Sequence, residues 1–266
     1  MAWSFVGVSS VVEVSVASHP LVTTGITGLQ EGDLLIACIA SRIASTASIT
    51  ASGWTVVAEQ KTNNVLATTS GIASALMAYR IRTAVAGPLT FTHPVAPSIA
   101  LGRIVAYRGH HNTVGLTLTD AQTSFTTAAV TTAVSGAGLT TTQADDLIVA
   151  MVAGGQEAAW SAFNATTPSG ASGATSTAAP TTAWLERADS LTTGGADTSL
   201  AIFDALKTTA GATGNLTATA SVAGGHAVIA GAFKIAPAST ADGWNVSDKS
   251  PELGLSGSDK IATVIS

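Results

Sequence analysis

The chain has 266 residues, of which 46% are hydrophobic and only 10% are charged, against about 25% charged residues in an average globular domain. Its 11 Lys and Arg and 16 Asp and Glu give a formal net charge of −5, which argues against the clustered cations that phosphate-backbone binding requires. No run reaches the ~18 apolar residues of a membrane-spanning helix, and the first residues, MAWSFVGVSS, lack the pattern of a secretory signal. We therefore expect no nucleic-acid partner and no membrane insertion.

Short segments rich in Val, Ile and Thr follow one another along the chain, separated by Gly, Ser, Asn and Pro, and such segments are typical of β-strands. In chain order they are residues 11–16, 34–40, 54–58, 75–82, 89–92, 103–107, 116–119, 147–152, 184–187, 200–206, 216–220 and 227–235. No segment repeats apolar residues at helical spacing over three turns. Residues 165–182 and 236–242, rich in small residues and proline, read as a loop and a linker.

An internal repeat divides the chain into halves. The matched pairs, in order, are residues 32–37 (GDLLIA) with 145–150 (DDLIVA), Trp54 with Trp184, residues 76–79 with 200–203, and residues 106–108 (AYR) with 232–234 (AFK). The preserved order predicts a duplication with loop insertions. Two arrangements fit it: a separate sandwich for each half, or interleaving of the halves into one larger pseudo-symmetric sandwich. We favour the second, because the apolar strands need cover on both faces and aromatic residues amount to only 5%.

The predicted fold is thus all-β: a duplicated, pseudo-symmetric, jelly-roll-like antiparallel β-sandwich with an extended C-terminal tail. The sandwich is expected over residues 1–236, with halves of about 1–120 and 121–236. Residues 237–266 are expected to form a linker and a C-terminal arm.

None of the common catalytic or metal-binding patterns stands in the sequence. It contains no G-x-S-x-G nucleophile elbow and no H-E-x-x-H pair. His110 and His111 are neighbours whose side chains diverge, so we expect a polar loop after the strand at 103–107. Cys38, the single cysteine, lies in an apolar run and is expected in the core. We expect no catalytic residue, no cofactor and no bound metal.

Acidic and aromatic residues leave a few alternatives open. Asp33 and Asp146 precede matching strands, where turn chemistry explains them. A surface cation is the alternative use of carboxylates, at Asp145 and Asp146 or at Asp197 to Asp204. Three tryptophans near predicted strand ends or loops are possible glycan contacts, because an indole ring stacks on sugars; packing is the alternative for each. These tryptophans are Trp3, Trp160 and Trp184.

Few charged residues guard the predicted strands at 98–106 and 200–206. Soluble monomers ordinarily protect sheet edges with charge, so the sequence favours a permanent homo-oligomer that buries its apolar patches. Isolated large apolar residues in the polar tail require burial as well, which makes them the expected assembly contacts. These residues are Trp244, Leu253, Leu255 and Ile261.

Four segments of the first half carry a resemblance to a known family. They are residues 32–40 (GDLLIACIA), 52–60 (SGWTVVAEQ), 75–94 (ALMAYRIRTAVAGPLTFTHP) and 99–109 (IALGRIVAYRG). Together with the second half they resemble, over roughly residues 4–236, a β-sandwich module of bacteriophage virion structural proteins. In the tail, residues 243–251 and 253–256 are similar to the opening strand of SPRY-like modules.

The resemblance implies a non-enzymatic virion structural protein that forms an oligomeric spike, fibre or decoration on the head or tail. Its partners would be other virion proteins, and its location the virion, assembled in the bacterial host cytoplasm. The alternative is a carbohydrate-binding or host-receptor adhesion module of a tail fibre, with a host surface glycan as partner. A polysaccharide-degrading enzyme is a third alternative, which requires two carboxylates in a cleft.

Overall fold

The structure is a computed structural model. It describes residues 3–43, 45–62, 72–83, 89–110, 119–166, 184–192, 197–235, 253–256 and 261–264. Every regular element of these residues is a β-strand, which confirms the all-β prediction. Among them there is no helix long and apolar enough to cross a membrane. The predicted linker at 236–242, most of the loop predicted at 165–182, most of the strand predicted at 116–119, His111 and Trp244 lie outside the described residues.

The first half of the chain forms one antiparallel sheet in the order β1-β8-β4-β6-β5, with β2 also paired to β8. Its strands are β1 (Ser4–Val8), β2 (Val12–Val14), β4 (Leu34–Ile43), β5 (Thr55–Lys61), β6 (Ile72–Ile81) and β8 (Ile99–Arg108). A small separate sheet pairs β3 (Ser18–Pro20) with β7 (Thr90–Thr92).

The second half forms another antiparallel sheet in the order β12-β16-β11-β14-β13, with β9 also paired to β16. Its strands are β9 (Thr119–Gly136), β11 (Asp146–Gly154), β12 (Trp160–Thr166), β13 (Leu185–Leu191), β14 (Ser199–Lys207) and β16 (Asn215–Phe233). Two short sheets pair β10 (Thr140–Thr141) with β15 (Gly211–Ala212), and β17 (Leu253–Ser256) with β18 (Ile261–Val264).

The two large sheets pack face to face through one shared apolar core. Ile36 and Met77 of the first sheet lie in the same buried cluster as Val149, Ile202 and Ile229 of the second. The outer face of each sheet is also covered, by loops and small strands in the first half and by the far ends of long strands in the second. This double cover explains why every residue of β4 and of β11 is buried, since strands covered on both faces are apolar throughout.

The predicted interleaving of the halves is wrong, because in the described residues the strands of each half pair with one another and build one sheet. Four strands of each sheet have the same order, whereas β12 has no counterpart among the described strands of the first half. In the first sheet β4 lies between β6 and β8 with β5 outside β6, and in the second β11 lies between β14 and β16 with β13 outside β14. The outer strands even share an irregularity, between Val56 and Ala58 in β5 and between Glu186 and Ala188 in β13. The common origin of the halves stays a prediction.

One residue match drawn from the sequence is wrong by a single position. Leu76 lies in the outer cluster of the first sheet, whereas Leu200 lies in the core between the sheets. The strand pairing gives the true register, because Thr55 pairs with Tyr79 and the equivalent Leu185 pairs with Asp204. Tyr79 therefore corresponds to Asp204. Such a slip exchanges inward and outward residues, since side chains alternate along a strand.

Candidate binding site at the seam between the two sheets

At one corner of the sandwich, β1 and β8 of the first sheet meet β13 and β14 of the second and leave a cavity of about 130 Å³. Trp3 and Phe5 approach from the first sheet, and Leu185 and Arg187 from the second. Leu185 is 51% exposed, as expected for a residue on an unpaired sheet edge. Chain segments far apart in sequence therefore form this cavity, here called the seam cavity.

A buried polar triad of Tyr107, Asp204 and Arg187 lies along the seam cavity. The Tyr107 hydroxyl donates to Oδ2 of Asp204 at 2.7 Å, and Nε of Arg187 donates to the same oxygen at 2.6 Å. Tyr107 and Asp204 are only 1% and 3% exposed. Burial, together with the neighbouring Asp204 carboxylate, raises the pKa of Tyr107 well above its usual value, so the phenol stays a hydrogen-bond donor.

The triad retains hydrogen-bonding capacity that the described part of the chain does not use. Within that part, Oδ1 of Asp204 accepts no hydrogen bond and the two Nη groups of Arg187 donate none. The guanidinium carbon of Arg187 lies 4.0 Å from the ring centroid of Phe5, a cation–π distance that holds the guanidinium beside the cavity. One hydrogen-bond acceptor, on Asp204, and several donors, on Arg187, are thus available to a ligand beside the aromatic ring of Phe5.

Trp3 is held in place at the seam cavity by contacts with both sheets. Its indole N–H donates to the backbone carbonyl of Asp145 at 3.0 Å, and its ring meets Tyr107 edge-on at 6.5 Å. Asp145 has a φ of 64°, a left-handed conformation that Asp tolerates better than most residues. The ring of Trp3 is therefore positioned by the fold before any ligand arrives.

The equivalent corner of the sandwich has different chemistry. By strand register, Val57, Tyr79 and Phe233 stand where Arg187, Asp204 and Tyr107 stand at the seam cavity. Val57 is buried, and Tyr79 meets Phe233 edge-on at 5.6 Å in the apolar core. An apolar corner is thus compatible with this architecture. The fold alone does not require the charged triad.

The other two predicted glycan contacts lie elsewhere, in the outer layer of the second sheet. Trp160 is 4% exposed, donates its indole N–H to Oγ of Ser199 and packs against His226, so its ring has no face to offer a sugar. Trp184 is half-buried and meets Phe163 edge-on at 4.7 Å. The structure therefore brings neither of them to Trp3.

The two aspartates that precede matching strands have different partners. Asp33 accepts the backbone N–H of Gln30 at 2.7 Å, as the predicted turn requires, and forms a two-point ion pair with Arg108. Asp146 is fully buried and accepts from Gln143. Burial, and then the neighbouring Asp120 carboxyl, raise the pKa of Asp146 to about 8.

Asp120, beside Asp146, remains the charged member of the pair. It accepts the backbone N–H and the hydroxyl of Thr142, and Nζ of Lys234 lies 4.0 Å from its Oδ1. Although burial opposes ionisation, the hydrogen bonds from Thr142 lower the pKa of Asp120 on balance. A shared proton thus relieves the repulsion of two adjacent carboxyls. In the described ranges, no group of three or more His, Cys, Asp or Glu could hold a metal ion.

The four histidines of the described residues pack inside the structure. Nδ1 of His19 lies 3.3 Å from Nε2 of His93, and burial lowers the pKa of each to about 4. His226 contacts the carbonyl of Thr131. His110 is only 7% exposed, and its backbone bridges to Ile235; most of the polar loop predicted there lies outside the described residues.

Two other predictions concern the cysteine and the tail. Cys38 is fully buried in the core between the sheets, as predicted. Leu253 and Leu255 lie on β17 and Ile261 on β18, which pair with each other so that Ser256 is opposite Ile261. Part of the predicted arm is therefore a β-hairpin.

Sequence reasoning named Trp3, and named Asp204 only as a carboxylate for a surface cation, but missed Phe5, Tyr107 and Arg187. The one available signal was Asp204, a charged residue within an otherwise apolar strand. Comparisons of the chain with family models, with curated proteins and with solved structures found no match.

Proposed function

We propose that this protein is a non-enzymatic structural component of a bacteriophage virion that assembles as a homo-oligomer into a spike, fibre or decoration. The large sandwich provides stable surface, and the C-terminal hairpin acts as an arm that docks on a neighbouring copy. The observation that carries the proposal is the separate sheet formed by β17 and β18, which pair with each other and with no strand of the two large sheets in the described residues.

An isolated two-stranded hairpin is marginally stable in water, because nothing covers its apolar face. The hairpin therefore requires a surface to pack on, and a second copy of the chain supplies one in a symmetric assembly. The outer faces of both large sheets are already covered by the chain itself. Edges and arms thus remain as the means of association.

The edge strand β13 supports the same proposal. It pairs only with β14 among the described strands, and Leu191, at the opposite end of β13 from Leu185, is 41% exposed. Exposed apolar residues along an unpaired edge favour association with another chain. The resemblance of the sequence to phage β-sandwich modules supports the proposal that this association takes place in a virion.

The test measures the mass of the full-length protein in solution by light scattering and by mass photometry. We expect a closed oligomer, and we expect Leu253→Asp and Leu255→Asp, which share one face of the hairpin by its register, to shift it towards monomer. Thr263→Asp, which introduces the same charge at another hairpin position, is the matched control and should retain more of the oligomer. A wild-type protein that is monomeric at every concentration would count against the assembly.

A second measurement tests the virion setting directly. Antibodies raised against the protein should label phage particles from its bacterial host in immunogold electron microscopy, at a symmetric position on head or tail. Purified particles that contain none of the protein would overturn the virion role, whatever its oligomeric state.

A further inference from the structure

We propose that the seam cavity binds one neutral pyranose ring, such as the terminal sugar of a glycan. This binding role is separate from the structural role proposed above and stands on the geometry of the cavity. Each property of the site, its size, its charge and its unused hydrogen-bonding groups, narrows the class of ligand.

The size of the cavity selects a single six-membered ring. Its volume is about 130 Å³, below the about 150 Å³ of an engineered cavity that accepts one benzene molecule, so it takes at most part of one hydroxylated ring, with the remaining hydroxyls at the opening. The cavity opens at the exposed Leu185, so a ring can enter while the rest of a longer chain stays in solvent. An oligosaccharide would thus be held by one end.

The charges of the cavity select a neutral ligand. Arg187 and Asp204 form an ion pair with a 2.6 Å contact and leave no net charge. A charged ligand would be attracted to one partner and repelled by the other, and a second buried charge would carry a desolvation cost. Carboxylates, phosphates and amines are therefore poor candidates.

The unused hydrogen-bonding groups select a ring that carries hydroxyls. Oδ1 of Asp204 and the Nη groups of Arg187 border the cavity without a partner among the described residues. A purely apolar ring would separate these groups from water and leave them unpaired, which is costly. A sugar hydroxyl both donates and accepts, so adjacent hydroxyls match a carboxylate oxygen beside a guanidinium.

The aromatic walls complete the match. Pyranose rings present C–H groups on their faces, and Trp3 and Phe5 provide the apolar surface for them. Trp3 is already fixed by its hydrogen bond to Asp145, so little entropy is lost when a ring packs beside it. The equivalent corner, with Val57, Tyr79 and Phe233, has no such combination.

The experiment titrates the full-length protein with methyl glycosides of glucose, galactose, mannose and N-acetylglucosamine, and follows binding by ligand-observed NMR. Cyclohexanol tests for a merely apolar cavity, and glucuronate tests for charge. We expect saturable binding of at least one neutral pyranoside, and weaker binding of cyclohexanol and glucuronate. Trp3→Ala and Arg187→Met should each raise the Kd about tenfold or more.

Two matched controls separate the site from general effects. Trp184→Ala removes a half-buried tryptophan outside the cavity, and Arg80→Met removes an arginine that lies over the ring of Trp54. Both should leave the Kd within about twofold of wild type. Trp3→Ala keeps the proposal testable should loss of Arg187 unfold the protein.

The proposal is overturned if no pyranoside binds saturably, if cyclohexanol binds as well as the best sugar, or if binding survives Trp3→Ala in a folded protein. None of these outcomes bears on the oligomer or on the virion, so the two proposals fail independently.

Discussion

Replacing Tyr107 with phenylalanine removes a single hydroxyl from the triad at the seam. That hydroxyl donates to the Asp204 carboxylate at 2.7 Å, and both residues are buried. A hydrogen bond to a charged group contributes about 1.5–3 kcal/mol net. Asp204 keeps its contact with Arg187 and is not left as an unpaired buried charge, so we expect a loss of about 2 kcal/mol in the free energy of unfolding.

The ring itself should fit, because phenylalanine stands naturally at the equivalent position, Phe233. In a chain of this size about 2 kcal/mol lowers the Tm by about 4–8 °C, which calorimetry resolves, and urea unfolding gives the free energy. Tyr79→Phe is the matched control, since the Tyr79 hydroxyl has no hydrogen-bond partner among the described residues, and it should change the Tm little. Equal effects of the two substitutions would refute the reasoning about the triad.

Three further predictions concern protonation and packing. Burial raises the pKa of Asp146 to about 8, so the folded chain keeps a proton that the unfolded chain releases. The free energy of unfolding of the wild type should therefore fall, relative to Asp146→Asn, as the pH rises from about 4 to about 8; parallel curves in urea unfolding would contradict this. The lowered pKa values of His19 and His93 act in the opposite direction. Stability should be lost as the pH falls from about 6.5 to about 4, with NMR showing both rings of the folded protein still neutral over most of that window; protonation near pH 6.5 would exclude it. Finally, a Cβ at Gly138 would lie 1.8 Å from a backbone oxygen, whereas one at Gly155 has only ordinary contacts. Gly138→Ala should cost about 3 kcal/mol or more and Gly155→Ala about 1 kcal/mol or less by thermal unfolding; equal Tm values would refute the packing.

The central strands were predictable because burial on both faces leaves a plain signal. The apolar runs at 34–40 and 147–152 correspond to β4 (Leu34–Ile43) and β11 (Asp146–Gly154). The observed strands extend beyond the runs, since β4 continues through the polar Ser41 and Arg42 while both neighbours still pair with it. Backbone pairing thus sets the ends of these strands, and hydrophobicity only their centres.

Other strands gave almost no signal. β9 spans Thr119–Gly136, a Thr- and Ala-rich stretch of which only the first residue lay in a predicted strand, and β12 (Trp160–Thr166) was missed. Both pair with β16. The backbone of this long strand supplies their hydrogen bonds, and the sequences of β9 and β12 do not indicate that pairing. β-propensity depends on such neighbours more than on the residues themselves.

The seam cavity was beyond sequence reasoning for a related reason. Phe5 and Tyr107 are 102 positions apart by number and become direct partners through β1 and β8, and Arg187 reaches them only when the second sheet packs on the first. The repeat suggested which strands correspond, but a one-residue slip hid that Asp204 points towards the core. Only the register reveals this exchange of faces.

The composition of the chain and the spacing of its apolar residues determined that it folds as β-strands, the central ones buried on both faces. This much follows from the sequence because the spacing of apolar residues and the length of an apolar run are local properties, and hydrophobic burial depends on them directly. The tertiary structure alone decided which corner of the sandwich is polar. Asp204 contacts Tyr107 and Arg187 because sheet packing, a long-range outcome of register and twist, brings together side chains that no local pattern connects.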